Sequence, residues 1–205
     1  VLRCKPIIGY LHTGMEKTGE QLTYMQGGTN VTRMDYLSPL NNELVFSMAV
    51  EKLLGIDGDI PERAVWMRML LSELNRMSSH LLFLATNGMD IGAVSMMIYG
   101  WREREEVLRF FQKVTGLRMN HNFIRPGGLA ADLPAGWRDD VLDILDRLPD
   151  RLHEYDILMT EQPIWRERLQ GVGVITAQEA VALGATGPIL DRKSTRLNSS
   201  HLVIF

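Results

Sequence analysis

The chain has 205 residues, 45% of them hydrophobic, with 22 basic against 25 acidic side chains and a formal charge of -3. That supplies the core of one domain or a large piece of one, and the scattered basic residues argue against a nucleic-acid partner. Its one cysteine, Cys4, excludes an internal disulfide and cannot by itself hold zinc or an iron–sulfur cluster, so a reducing compartment fits.

Residues 1–11 read as an extended segment, one strand of a sheet completed elsewhere. A helix follows from Gly14 to Gln26, stopped by Gly27-Gly28. Residues 31–39 form a turn, because Pro39 biases Ser38 away from helix. A second helix spans Asn42 to Leu54 and stops at Gly55. The third starts at Asp59, Pro61 and Glu62. It carries Leu70, Leu74, Met77, Leu81 and Leu84 at alternating spacings of four and three, and runs roughly 40 Å to Asn87 before Gly88. The fourth, Ala93 to Thr115, sets Val94, Met97, Trp101, Leu108 and Phe111 along one side, with Gly116 at its end. Gly127-Gly128 and Pro134 mark a loop. A fifth helical region begins near Trp137, is interrupted at Pro149 and finishes before Pro163. Trp165 to Leu169 adds a short turn, and Ala177 to Leu183 another short helix. The last segment, 191–205, switches to Ser, Thr, Asn and basic residues without periodicity. It is read as a non-native tail, which leaves 1–190 as one partial domain. No apolar run approaches the roughly 18–20 residues of a membrane helix, and the start lacks the layout of a signal peptide. Twelve methionines suit irregular gaps between packed helices.

Several chemical motifs fail on inspection. Gly9 to Gly14 has the glycine spacing of a phosphate loop, but Met15 and Glu16 stand where a lysine and a hydroxyl are needed. His12, His80, His121 and His153 lack the spacing of a helical metal pair and read as structural. His80 shares a face with Glu73 and Arg76, which suits a polar network. Arg102 to Glu106 reads as an exposed charged face with Arg102 pairing Glu106. Asp139-Asp140 begin a helix, where the dipole accounts for them. There is no serine elbow. Two residues resist dismissal. Tyr36 is flanked by Arg33 and Asp35, a cation and a hydrogen-bonding acid able to tune and orient a phenol. Asp90, just past the third helix, meets the negative end of that helix, where a carboxylate is disfavoured.

Ile8 to Lys17, Thr32 to Pro39, Ala49 to Gly55, Ser72 to Arg76, Ser79-His80-Leu81, Gly88-Met89-Asp90, Val114 to Met119 and Ile124 to Gly128 come in order. Together they resemble the D subunit, the quinone-site component, of the respiratory NADH–quinone oxidoreductase called complex I. The resemblance spans about 7–190. It implies a mainly α fold, a helical bundle of the nickel–iron hydrogenase large-subunit type with a short N-terminal extended segment. In those hydrogenases the turn comparable to Thr32–Pro39 carries metal-binding cysteines. Here a phenol, a carboxylate and a guanidinium stand instead, which points from hydrogen to quinone chemistry.

The resemblance also implies a proton-pumping enzyme at the cytoplasmic side of the bacterial cell membrane, peripheral to it. NADH would bind another subunit, and electrons would reach a terminal iron–sulfur cluster in a small neighbouring subunit. Quinone would enter along a channel shared with a membrane subunit and dock between this chain and the small one. Tyr36 corresponds to the tyrosine that hydrogen-bonds the quinone headgroup and can give it a proton. Asp90 matches the acid that pairs with a headgroup-binding histidine, which lies upstream of Val1 in the family. Arg33 matches an arginine close to the cluster. Asn120 departs from the pattern, because many members carry there a histidine that hydrogen-bonds the cluster. Since asparagine does not titrate, the hypothesis is a lower cluster potential serving a lower-potential quinone such as menaquinone. The fragment alone is expected to be inactive and to expose apolar surface. The rival readings are a hydrogenase, which lacks its cysteines here, an equivalent subunit of a ferredoxin- or other donor-driven relative, and a non-redox helical scaffold.

Overall fold

In the computed structural model the described residues are 3–186, and among them the chain is mainly helical. The helices are α1 (Met15–Gly19), α2 (Tyr24–Val31), α3 (Pro39–Leu54), α4 (Glu62–Asp90), α5 (Met96–Thr115), α6 (Trp137–Tyr155), α7 (Pro163–Leu169) and α8 (Ala177–Ala182). Strands β1 (Ile124–Arg125) and β2 (Gly128–Leu129) form a small antiparallel hairpin between α5 and α6. The segment read as a non-native tail lies outside the described residues.

The long helices α4 and α5 build the scaffold, joined by a short connection that turns the chain back on itself. Leu71 and Leu74 of α4 meet Val107, Leu108, Phe111 and Val114 of α5, and Val141 and Ile144 of α6 close over them. Leu40 of α3 and Phe123 and Ile124 of the hairpin complete this core. A second cluster, Leu81, Leu84, Met96, Tyr155 and Met159, continues it toward the far end of α4.

Several boundaries differ from the sequence expectations, mostly at glycine and proline. Residues 3–11 pair with no strand, and Gly9 at φ 129 and Tyr10 at φ 59 break any extended run. The first predicted helix is two: α1 ends at Gly19, and α2 opens on a Thr23–Gln26 capping box and runs through Gly27-Gly28. Those glycines make room instead of stopping the helix. A Cβ on Gly27 would strike the Phe46 ring, and one on Gly28 the Asn122 side chain. Helix α3 begins three residues early, since Pro39 at its first turn needs no N–H partner. Helix α4 likewise runs through Gly88, where a Cβ would lie 2.6 Å from that of Met96.

On α5 the side suggested by the apolar spacing is buried only in its second half, at Leu108 and Phe111. Val94 is 65% and Trp101 38% exposed, while Gly100 and Arg104 face inward. A Cβ on Gly100 would lie 2.7 Å from that of Ala85, so this glycine lets α4 and α5 approach closely. Arg104 is 1% exposed and donates to the Ser78 carbonyl at 2.8 Å and its hydroxyl at 2.7 Å. The Arg102–Glu106 run is therefore not a uniformly solvated face, and Arg102 pairs with Glu103 and Glu154. Pro149 does not interrupt α6, which continues to Tyr155 and then widens into one π-turn, Asp156–Thr160.

Candidate functional site: the Thr32–Ser38 turn and the loop opposite it

The turn between α2 and α3 is short, polar and fastened from below. Asn75, 2% exposed in the middle of α4, donates to the Leu37 carbonyl at 3.2 Å and accepts from the Leu40 N–H at 2.9 Å. Asn42 donates to the Asp35 carbonyl at 2.9 Å, and Asn41 to the Ser38 hydroxyl at 2.6 Å. The Asp35 carboxylate accepts from the Leu37 N–H at 3.1 Å, closing a local turn. Fully buried Thr32 donates to the Thr29 carbonyl at 2.8 Å. On this frame Tyr36 stands outward, 61% exposed.

Arg33 and Asp35 do not tune Tyr36 by direct contact, as the sequence suggested. The Arg33 guanidinium donates to the Thr29 carbonyl at 2.6 Å and the Thr32 hydroxyl at 3.2 Å, and Asp35 is spent on the turn backbone. Both hold the shape of the turn that presents the phenol.

Asp90 is the last residue of α4, not a residue beyond it, and it is exposed. Arg168 of α7 donates to the carbonyl of the next residue, Ile91. Fifteen residues of α4 separate Asp90 from Asn75, about 22 Å along the axis. The turn that carries Tyr36 is thus tied to the middle of α4, while Asp90 lies at the end of that helix. His80, between them, is exposed beside a solvated Glu73–Arg76 pair. Partial desolvation of the ring and the Arg76 charge lower its pKa.

Arg33 and Asn120 do come to one side of the fold. Asn122 touches Gly28 of α2, one residue before the Thr29 carbonyl that Arg33 binds. Asn120 and Asn122 hold φ of 55 and 47, left-handed values that asparagine tolerates. Their Oδ1 atoms are buried without a hydrogen-bond partner. His121 lies between them, 5% exposed, edge-on to Phe111 at 5.0 Å, with Nε2 3.1 Å from the Arg118 carbonyl. Burial pushes its pKa down to about 4, so it is neutral at physiological pH.

Two acids missed by the sequence reading fix this loop. Glu43 of α3, fully buried, accepts the N–H groups of Asn122, Phe123 and Ile124 at 2.6, 2.7 and 2.9 Å. Burial raises its pKa to about 7 against the pull of those donors and of Arg125. Further along α3, Glu51 holds buried Arg68 of α4 through two hydrogen bonds, at 2.5 and 3.1 Å, and accepts the Gly127 N–H at 2.8 Å. Arg68 also donates to the carbonyls of Arg125 and Gly128. Their one signal in the sequence is spacing: Glu43, Ser47 and Glu51 recur every four residues along the buried face of α3.

Among the described residues no group of three or more His, Cys, Asp and Glu is placed to hold a metal. None of their helices is long and apolar enough to cross a membrane. Cys4 is free and exposed.

A helical scaffold with a polar presenting turn, lacking metal-binding thiols at that turn, is the class this fold and site define. Residues 90–195 match the family described as respiratory-chain NADH dehydrogenase, 49 Kd subunit, and the chain belongs to that family. It is 55% identical over 190 residues to the NADH-quinone oxidoreductase D subunit of Acidothermus cellulolyticus, covering 93% of this chain and 43% of that protein. The D subunit of Mycolicibacterium smegmatis is 57% identical over 183 residues, 89% of this chain and 41% of that one. That of Frankia alni is 54% identical over 190 residues, 93% and 40%. The chain spans less than half the length of these curated relatives.

Proposed function

We propose that this chain is part of a subunit of a proton-translocating NADH–quinone oxidoreductase, and that its Thr32–Ser38 turn presents Tyr36 to the quinone headgroup. The observation that carries this reading is an exposed phenol on a turn whose backbone is fastened by Asn75, Asn42 and Asp35. A rigid donor can hydrogen-bond a carbonyl oxygen and give it a proton as charge develops there. In this proposal Asp90, at the far end of α4 from the Asn75 tie, acts through a histidine supplied from outside these residues. NADH is bound by another subunit, and electrons arrive through an iron–sulfur cluster held by the small neighbouring subunit.

The buried, unpartnered Oδ1 of Asn120 and the exposed guanidinium of Arg33 fit a surface completed by such a neighbour. Arg33 would place a fixed positive charge there, which favours an added electron. Asn120 does not titrate and His121 stays neutral, so neither couples a proton to the cluster near pH 7. The proposal therefore includes a low-potential cluster with weak pH dependence and a low-potential quinone such as menaquinone. The complex would sit peripherally at the cytoplasmic side of the membrane, this subunit touching the small subunit and a membrane subunit at the quinone channel. An equivalent subunit of a ferredoxin-driven relative is distinguished by whether NADH-binding subunits copurify.

Two measurements on the assembled complex test this. Tyr36→Phe should lower quinone reduction by about 100-fold or more while electron transfer from NADH to an artificial acceptor persists. Unchanged quinone reduction would leave only a scaffold role. A redox titration should find a low cluster midpoint that shifts little between pH 6 and 8, and a high, steeply pH-dependent midpoint would refute the menaquinone assignment.

A further inference from the structure

Between α3 and the first half of α4 runs a groove of about 520 Å³. Leu44 and Met48 form one wall and Val65 and Met69 the other, each pair four residues apart on its helix. The floor is the Glu51–Arg68 pair, whose donors and acceptors are already matched by each other and the hairpin backbone. That pair therefore asks for no charged ligand, and Lys52, Asp57 and Glu73 complete the polar part of the lining. One buried group in the lining is unsatisfied: the hydroxyl of Ser72, a residue 9% exposed. Beyond the walls the apolar surface continues through Val45, 69% exposed, and Trp66, 60% exposed.

That combination selects its occupant. A small ligand needs a concavity that buries most of its surface, and this groove is open and extends into a wider apolar patch. Parallel walls with a four-residue repeat suit the apolar face of a helix laid along them. The curated relatives continue far beyond the matched 190 residues, which are 43% of the Acidothermus protein. We propose that the α3–α4 groove is the seat of a helix from the part of the same polypeptide outside these residues, with a polar group of that helix completing Ser72. The inference rests on membership of the subunit family and not on the quinone assignment, so either can fail without the other.

The test places a photo-crosslinking benzoylphenylalanine at Met48, and separately at Met69, in the full-length subunit within the assembled complex. Peptide mapping after illumination should find a linked peptide of the same polypeptide, from a region outside the 190 residues matched to the Acidothermus protein. A linked peptide from a different subunit, a linked second copy of this chain, or labelling no stronger than at exposed Val172 would each overturn the proposal. As an independent readout, Met48→Glu should lower the melting temperature of the full-length subunit by several degrees. Unchanged melting in that variant would equally overturn it.

Discussion

Glu43 and His121 are two buried titratable side chains around one loop, and they pull the pH dependence of folding in opposite directions. Glu43, raised from 4.5 to about 7, binds its proton more tightly when folded, so its contribution is complete below 4.5 and is lost as pH rises through 7. His121, lowered from 6.5 to about 4, contributes fully above 6.5 and loses that contribution as pH falls through 4. Between pH 4.5 and 6.5 the two slopes oppose, each about 1.4 kcal/mol per pH unit. In the Glu43→Gln subunit the unfolding free energy should rise by about 2 kcal/mol more than in wild type from pH 4.5 to 6.5. In His121→Asn it should fall relative to wild type by a similar margin. Urea denaturation at three pH values measures both, and parallel profiles in all three proteins would contradict the assignment. The sequence announced these residues only faintly. It ranked His121 as structural, which its packing on Phe111 fits, but nothing in a lone glutamate says that three amides of a distant loop will close around it.

At the level of elements, the clearest prediction concerns the clasp of the hairpin. Arg68 joins α4 to Glu51 of α3 and to two hairpin carbonyls, all in a dry setting. Arg68→Met should cost about 3–5 kcal/mol, because it strands the Glu51 carboxylate. Hydrogen exchange at Gly127 and Ala130, whose amides bind Glu51 and the Phe123 carbonyl, should quicken first. Gly100→Ala should destabilise by about 1–3 kcal/mol by forcing α5 away from Ala85, read as a lowered melting temperature. Helix existence was largely legible from periodicity and from the stops at Gly55 and Gly116, although Pro39 was read as turn and opens α3. Helix ends at Gly27-Gly28 and Gly88 were not. A glycine that admits a neighbouring ring or methionine has the same letter as one that ends a helix, and only the partner tells them apart.

At the scale of the whole molecule, the resemblance read from ordered motifs holds as family membership, and the helical fold agrees. What could not be read was completeness of the site. Tyr36, on a turn tied to mid-α4, and Asp90, at the end of α4, are parts of one proposed mechanism, and in that proposal a group from outside these residues stands between them. The same incompleteness shows on the surface, where Val45, Met48, Leu53, Trp66 and Met69 are each more than half exposed. Chain 1–205 alone should bind an apolar dye strongly and self-associate with rising concentration. The full-length subunit in its complex should do neither, which fluorescence and sedimentation would show.

Asn75 carries a consequence of its own. Its amide gives with nitrogen and receives with oxygen to two backbone groups three residues apart. A single-atom exchange to aspartate would keep size and shape yet set one lone pair against another at the Leu37 carbonyl. Spontaneous hydrolysis of that amide, the ordinary ageing chemistry of asparagine, would thus untie the tyrosine turn without disturbing any apolar contact. Burial in mid-helix shields the bond from that fate.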